Sequence, residues 1–255
     1  MQCEQNSMRP FGQRPDGSLT ISYFCAPAER VFRTYVEWGR EVGIDFQRIS
    51  PVRVDWREFL GEYVTPPNSG LLSATQGEWC AFVDNDRIGS LPFSDLVVIA
   101  ERTRSRSAAF ICQDLNKCRS NGAPYTAMFA HCDATRGTAE HRYVSVFWNG
   151  PRGGGWEFDE TGAPLLFEET AAYALRKKAD RLTPDMLERY ARALGIVLPT
   201  AESLTSPSAA IGLRWQSVSD QPAEAQMGLL QTIGEKINRG LGIKAMLNIY
   251  RTESR

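Results

Sequence analysis

Apolar and polar positions divide this chain into short extended runs and a few helical ones. Ser18 to Cys25 (SLTISYFC) reads as a strand, and Pro27 behind it signals a helix start. From Ala28 to Val42, Val31, Tyr35, Trp38 and Val42 recur at helical spacing, and Gly43 supplies the stop. Ile44 to Trp56 reads as extended, with β-branched Ile49, Val52 and Val54 and an interruption at Pro51. The PPNSG segment at 66–70 is a loop, and Glu78 to Asp84 (EWCAFVD) is a strand that runs into a turn at Asn85-Asp86. Ser94 is placed to cap a helix from Asp95 to about Arg102, with Asp95 favourable in the first turn.

Further along, Ala108–Gln113, Tyr125–Cys132 and Arg142–Trp148 form three strand-like runs. The last is bulky on both faces, as a central strand requires. GPRGGG at 150–155 is a flexible connection, Trp156–Phe158 resumes a strand, and Asp159–Gly162 (DETG) turns before Pro164. Glu168 to Ala179 then reads as one helix, acidic at its start and basic at Arg176, Lys177 and Lys178, which matches the helix dipole. A second helix is capped by Thr183, with Pro184 at its first position, Asp185 in its first turn and Gly195 beyond its end. Met186, Leu187, Tyr190 and Leu194 form its apolar stripe. Ile211–Val218 reads as a strand, and Ala223 to about Asn238 as a helix.

These elements predict an α+β fold: a mixed, mainly antiparallel sheet with helices packed on it. The main domain is expected over 1–198, with 1–17 a poorly ordered lead-in, 199–210 a Ser/Thr/Pro/Ala linker or loop, and 211–255 a strand–helix extension. No internal repeat or low-complexity tract interrupts this order.

Composition narrows the function classes. With 42% hydrophobic residues and 10% aromatics among 255, the chain is globular in composition and long enough for a sizeable core. A net charge of −1 gives no global nucleic-acid signature, so nucleic acid is not the expected partner. MQCEQNSMRPFG at the start carries no apolar signal segment, and the aliphatic runs are far shorter than the roughly 20 residues of a membrane helix. The expected location is therefore the cytoplasm, with no membrane partner. There the six cysteines read as reduced thiols, several of them core residues.

Candidate chemistry is sparse. Cys112, Cys118, His131, Cys132 and His141 are the soft ligands nearest one another, but their gaps are irregular, and neighbours on a strand point to opposite faces. Buried thiols explain them better than zinc, and no cofactor or metal is expected. A hydrolase or nuclease would have to use His131 or His141 with a nearby Cys or Asp, and no nucleophile motif accompanies either. Asp84, Asp86 and Asp95 suit metal-dependent phosphoryl chemistry in principle, but Asp and Asn at a strand end also serve a turn. The glycines of 150–155 are followed by no helix start that would cradle phosphate.

Charge is locally segregated instead. Arg102, Arg104 and Arg106 form one basic stretch, and Arg176, Lys177, Lys178 and Arg181 another. Acids gather at Glu157, Asp159, Glu160, Glu168 and Glu169. Such patches suit docking to a charged protein. Among six tryptophans, Trp156 after the glycines and Trp215 after the linker are the expected exposed anchors, with Arg152 beside them. The partner-contact set predicted from sequence is Asp84, Asp86, Arg104, Arg152, Trp156, Asp159, Glu160 and Trp215. A nucleic-acid module built on the arginines is the third reading.

Two stretches carry a resemblance: GEWCAFVDNDRIGSLPFSDLVVIAERTRSRSAAFICQ and WEFDETGAPLLFEETAAYALRKKADRLTPDMLERYARALGI. Between Gly77 and Ile196 the chain resembles a family of small uncharacterised bacterial proteins, common in actinobacteria. Matching positions include Trp156, Phe158, Asp159, Gly162, Pro164, Phe167, Glu168, Glu169, Tyr173, Thr183, Pro184, Met186, Leu187, Arg189, Tyr190 and Gly195. That family has no assigned catalytic residues to carry over. Its members are similar in kind to the immunity proteins of polymorphic toxin systems. The resemblance implies a protein that binds and neutralises a cognate toxin, the C-terminal domain of a secreted effector.

Overall fold

The structure is a computed structural model that describes residues 18–49, 69–75, 77–84, 93–113, 126–148, 155–197 and 210–215. The chain divides after Trp215 into two compact units, and every described residue belongs to the first. The expected lead-in at 1–17, the 66–68 and 85–86 loop and turn positions, the connection at 150–154, the 199–209 linker and the helix from Ala223 all lie outside the described residues.

Nine strands form one sheet. They are β1 (Ser18–Phe24), β2 (Phe46–Ile49), β3 (Ser69–Ala74), β4 (Cys80–Asp84), β5 (Arg106–Gln113), β6 (Thr126–Asp133), β7 (Glu140–Trp148), β8 (Trp156–Thr161) and β9 (Ile211–Trp215). Their order across the sheet is β2-β9-β3-β4-β1-β5-β6-β7-β8. Where a mixed sheet is expected, every pairing is antiparallel. From β5 to β8 successive strands are neighbours, the economical outcome of short connections.

Strand alternation gives the sheet two chemically distinct faces. On one, Ile21, Tyr23, Val83, Phe110, Phe129, Val144 and Val146 form the main core with residues of α4 (Pro184–Ala193). Helix α4 contributes Met186, Leu187, Tyr190 and Ala191, and the ring of Tyr190 lies 5.5 Å from that of Phe129. Its sequence caps form as read: Thr183 Oγ1 accepts from the Met186 N–H, Pro184 opens the helix, and Gly195 follows at φ 75°. The Trp79 indole donates to the carbonyl of Leu194, tying the end of α4 to the start of β4.

On the opposite face, Tyr35 of α1 (Ala28–Val42) meets Phe24 and Phe82 at ring separations of 6.1 and 5.2 Å. From α2 (Phe93–Thr103), the Leu96 carbonyl accepts from Ser107 Oγ of β5, and Ala100 packs with Cys132 of β6. Helix α2 begins at Phe93, so Ser94 sits inside it and not at its cap. Burial of each large apolar side chain in these layers contributes about 1.5–3 kcal/mol.

Three further sequence readings are corrected. Ser69 and Gly70, read as the end of a loop, open strand β3, where they pair with β9 and β4. The single helix expected over Glu168–Ala179 is one turn, α3 (Thr170–Tyr173), followed by a 3-10 turn at Lys178–Asp180. Past α3 the backbone leaves the α-helical ladder: the Leu175 N–H donates to the Ala172 carbonyl at 3.0 Å, and Arg181 Nε donates to the Leu175 carbonyl at 2.7 Å. Glu168 lies before the turn, buried. The turn expected at Asp159 is strand, because the β7–β8 ladder continues through Asp159, Glu160 and Thr161, and the reversal comes at Gly162.

Among the described residues, no helix is long and apolar enough to cross a membrane.

Candidate partner-binding surface

Arg142 sits on β7 on the same face as Val144 and Val146, and its side chain is only 2% exposed. A guanidinium taken out of water is stable only if its donors are met by opposite charge and good acceptors. All of them are met here. Nε donates to both carboxylate oxygens of Glu168 at 2.9 and 3.0 Å. Nη2 donates to Glu168 at 2.7 Å and to Glu160 at 2.8 Å. Nη1 donates to the carbonyls of Gly162 at 2.9 Å and Thr161 at 3.3 Å. Burial by itself disfavours the charged guanidinium, but the bonds to Glu168 and Glu160 outweigh it and hold its pKa above the ordinary value.

The Glu168 carboxylate, itself fully buried, also accepts from the Leu165 N–H at 2.9 Å and the Tyr173 hydroxyl at 2.8 Å. Tyr173 has one proton, so at the 3.0 Å contact the Tyr190 hydroxyl is the donor to Tyr173. Tyr190 in turn accepts from the Glu169 N–H at 2.9 Å. Burial, first, and these bonds hold the Tyr173 hydroxyl firmly protonated. The network is closed: each member spends its hydrogen bonds on another.

The product of this network is a fixed surface turn. The Glu168 N–H donates to the Leu165 carbonyl at 3.0 Å, closing a turn whose corners are Leu166 and Phe167. Leu165 and Phe167 pack against the core, whereas Leu166 is 107% exposed. Gly162 starts the turn at φ 83°, and a Cβ there would collide with the carbonyl oxygen of His141. Ala163 and Pro164 are also exposed. Exposed carboxylates flank the turn in fixed positions, Glu160 held by Arg142 and Glu169 by Arg189 at 2.6 Å. Beyond α3, Leu175 is exposed beside the basic Arg176, Lys177 and Lys178.

Sequence reasoning missed Arg142, Glu168, Tyr173, Tyr190 and Leu166 as a group. The available signal was the parity of β7, which puts an arginine on the same face as Val144 and Val146. Of the predicted contacts, Trp156, Asp159 and Glu160 do share one element, the edge strand β8. Trp156 is half-buried with its ring 5.5 Å from Trp148, and Trp215 is half-buried at 5.2 Å from Phe46, so neither is the exposed anchor expected. Asp84 is buried at the end of β4. Arg104 is exposed at φ 47° between α2 and β5. Asp86 and Arg152 lie outside the described residues. The first basic stretch is dispersed: Arg102 pairs with Glu41, and Arg106 lies over the ring of Trp79.

The two histidines fall on opposite faces. His131 is in register with Arg142 and is buried, its ring stacked 6.5 Å from Phe129. Burial pushes its pKa from 6.5 down to about 4. His141 faces Cys132 in register on the other side. Cys112 shares the face of His131, four residues along its strand, and Cys118 lies outside the described residues. Among the described residues no group of three His, Cys, Asp or Glu side chains is arranged to hold a metal.

Arg142→Met should lower stability in urea titration by about 3–5 kcal/mol, because it leaves Glu168 buried without its charge partner. A loss under about 1 kcal/mol, typical of an exposed pair, would contradict this burial. For His131 the unfolded chain takes up a proton near pH 6.5 and the folded chain only near 4. Stability should therefore fall as pH drops through that window, by about 3 kcal/mol in all, and level off below it. Thermal melts of His131→Phe should lose that part of the slope; an identical slope would refute the assignment.

No protein-family model, no curated protein and no solved structure matches the chain.

Proposed function

We propose that this chain is a cytoplasmic immunity protein that binds a cognate bacterial toxin domain and occludes its active site. The observation that supports this reading is Leu166, a large apolar side chain wholly exposed at the corner of a turn that a buried ion pair holds rigid. Isolated exposed leucines are common, but this one stands on prearranged backbone, so docking it costs little ordering entropy. In this reading the sheet, with its helices packed on it, is a scaffold for that surface. Leu166 enters a pocket of the toxin, while Asp159, Glu160 and Glu169 fix register through charge.

The test is co-expression with the variable C-terminal domain of a secreted protein encoded beside this chain. The expected result is a stable complex and rescue of growth, with rescue lost in Leu166→Asp while the variant's stability changes by no more than about 0.5 kcal/mol. If the parent chain gives neither complex nor rescue, the reading fails.

One geometric fact favours a second reading, a hydrolase: Cys132 and His141 face each other across β6 and β7. Against it, Cys132 is buried beneath Ala100, and burial raises its thiol pKa from 9.0 to about 12. Alkylation of the native protein should spare Cys132, with half-exposed Cys25 reacting first among the described cysteines. Fast, selective modification of Cys132 would revive the enzymatic reading.

A further inference from the structure

Two polar atoms in the main core are left without hydrogen-bond partners, Tyr23 Oη and His131 Nε2. Tyr23 is wholly buried and His131 is 6% exposed. An unpaired buried polar group is strongly disfavoured, so each calls for a physical explanation. The sheet register supplies a common one. Tyr23 pairs with Ala108, and Ala108 pairs with His131, so the three lie in one lateral row on one face. Two strand spacings put the Tyr23 and His131 backbones about 10 Å apart. Between them this face carries only the methyl of Ala108, itself fully buried in the core.

We propose that Tyr23 Oη and His131 Nε2 share one internal water molecule, seated over the Ala108 methyl. Water fits the chemistry of both ends. A phenol both donates and accepts, and a neutral imidazole nitrogen does one or the other according to its tautomer, so the guest must offer both capacities. It must also be neutral, because an apolar layer of Phe110, Phe129 and Tyr23 itself surrounds the row. It must be small, because the space is that of one side chain trimmed to a methyl. His131 in turn is in register with Arg142 on the next strand.

The conservative variant Tyr23→Phe separates the cases. Removing a hydroxyl that bonds a water should lower the Tm by roughly 2–4 °C in a chain of this size. Removing an unpartnered hydroxyl should leave the Tm unchanged or raise it. The same variant should shift the long-range proton–nitrogen NMR signal of His131 Nε2, although the two residues do not touch. A Tm that stays or rises, or a nitrogen signal that does not move, overturns the proposal. In a high-resolution crystal structure of the full chain, density within hydrogen-bond distance of both atoms is the expected result. A direct Tyr23–His131 bond there overturns it equally.

Discussion

The ion pair between Arg142 and Glu168 is the constraint around which one half of the molecule is arranged. Neither charge is stable in the core alone, and together they are stable only with every remaining donor and acceptor satisfied. That requirement draws in four separate pieces of chain: β7 for the arginine, the end of β8 for Glu160 and two carbonyls, the turn before α3 for Glu168, and α4 for Tyr190. Apolar packing tolerates sliding, whereas a bidentate guanidinium–carboxylate pair has one geometry. The pair therefore sets the position of the turn more sharply than burial of Leu165 and Phe167 would.

This division between core and network also explains what sequence could and could not reveal. Strands β1, β4, β5, β6 and β7 were legible because their runs of Ile, Val, Phe, Tyr and Ala are bounded by turn formers. Helix α1 showed its 3.6-residue stripe and Gly43 stop, and α4 showed its cap, proline and terminal glycine. The misreading of Glu168–Ala179 has a definite cause. Acid-first, base-last order satisfies the helix dipole rule, but Glu168 answers a stronger demand from Arg142, twenty-six residues earlier. Pairing at that separation leaves no local trace. The same is true of Leu166, whose exposure is decided by which neighbours the turn buries.

The polar side chains that sequence reasoning weighed as chemistry are distributed by strand parity: His131 and Cys112 to one face, His141 and Cys132 to the other. Among the described residues, Arg142, Glu168, Tyr173 and Tyr190 do converge and are bonded to one another, with the half-exposed Glu160 joined to Arg142 at their margin. Buried groups committed to one another in this way hold the local shape of the fold.

Strand order has a consequence for how the chain is made. β9 lies between β2 and β3, although some 160 residues separate its start from the end of β2. Among the described strands, β2 has no neighbour but β9. The run β3-β4-β1-β5-β6-β7-β8 is complete once β8 has left the ribosome, together with the residues that build the Arg142 network soon after. Among the described strands, β2 acquires its native partner only once Ile211–Trp215 is synthesised and lies between it and β3. One edge of the described sheet thus joins an early segment of the chain to a late one.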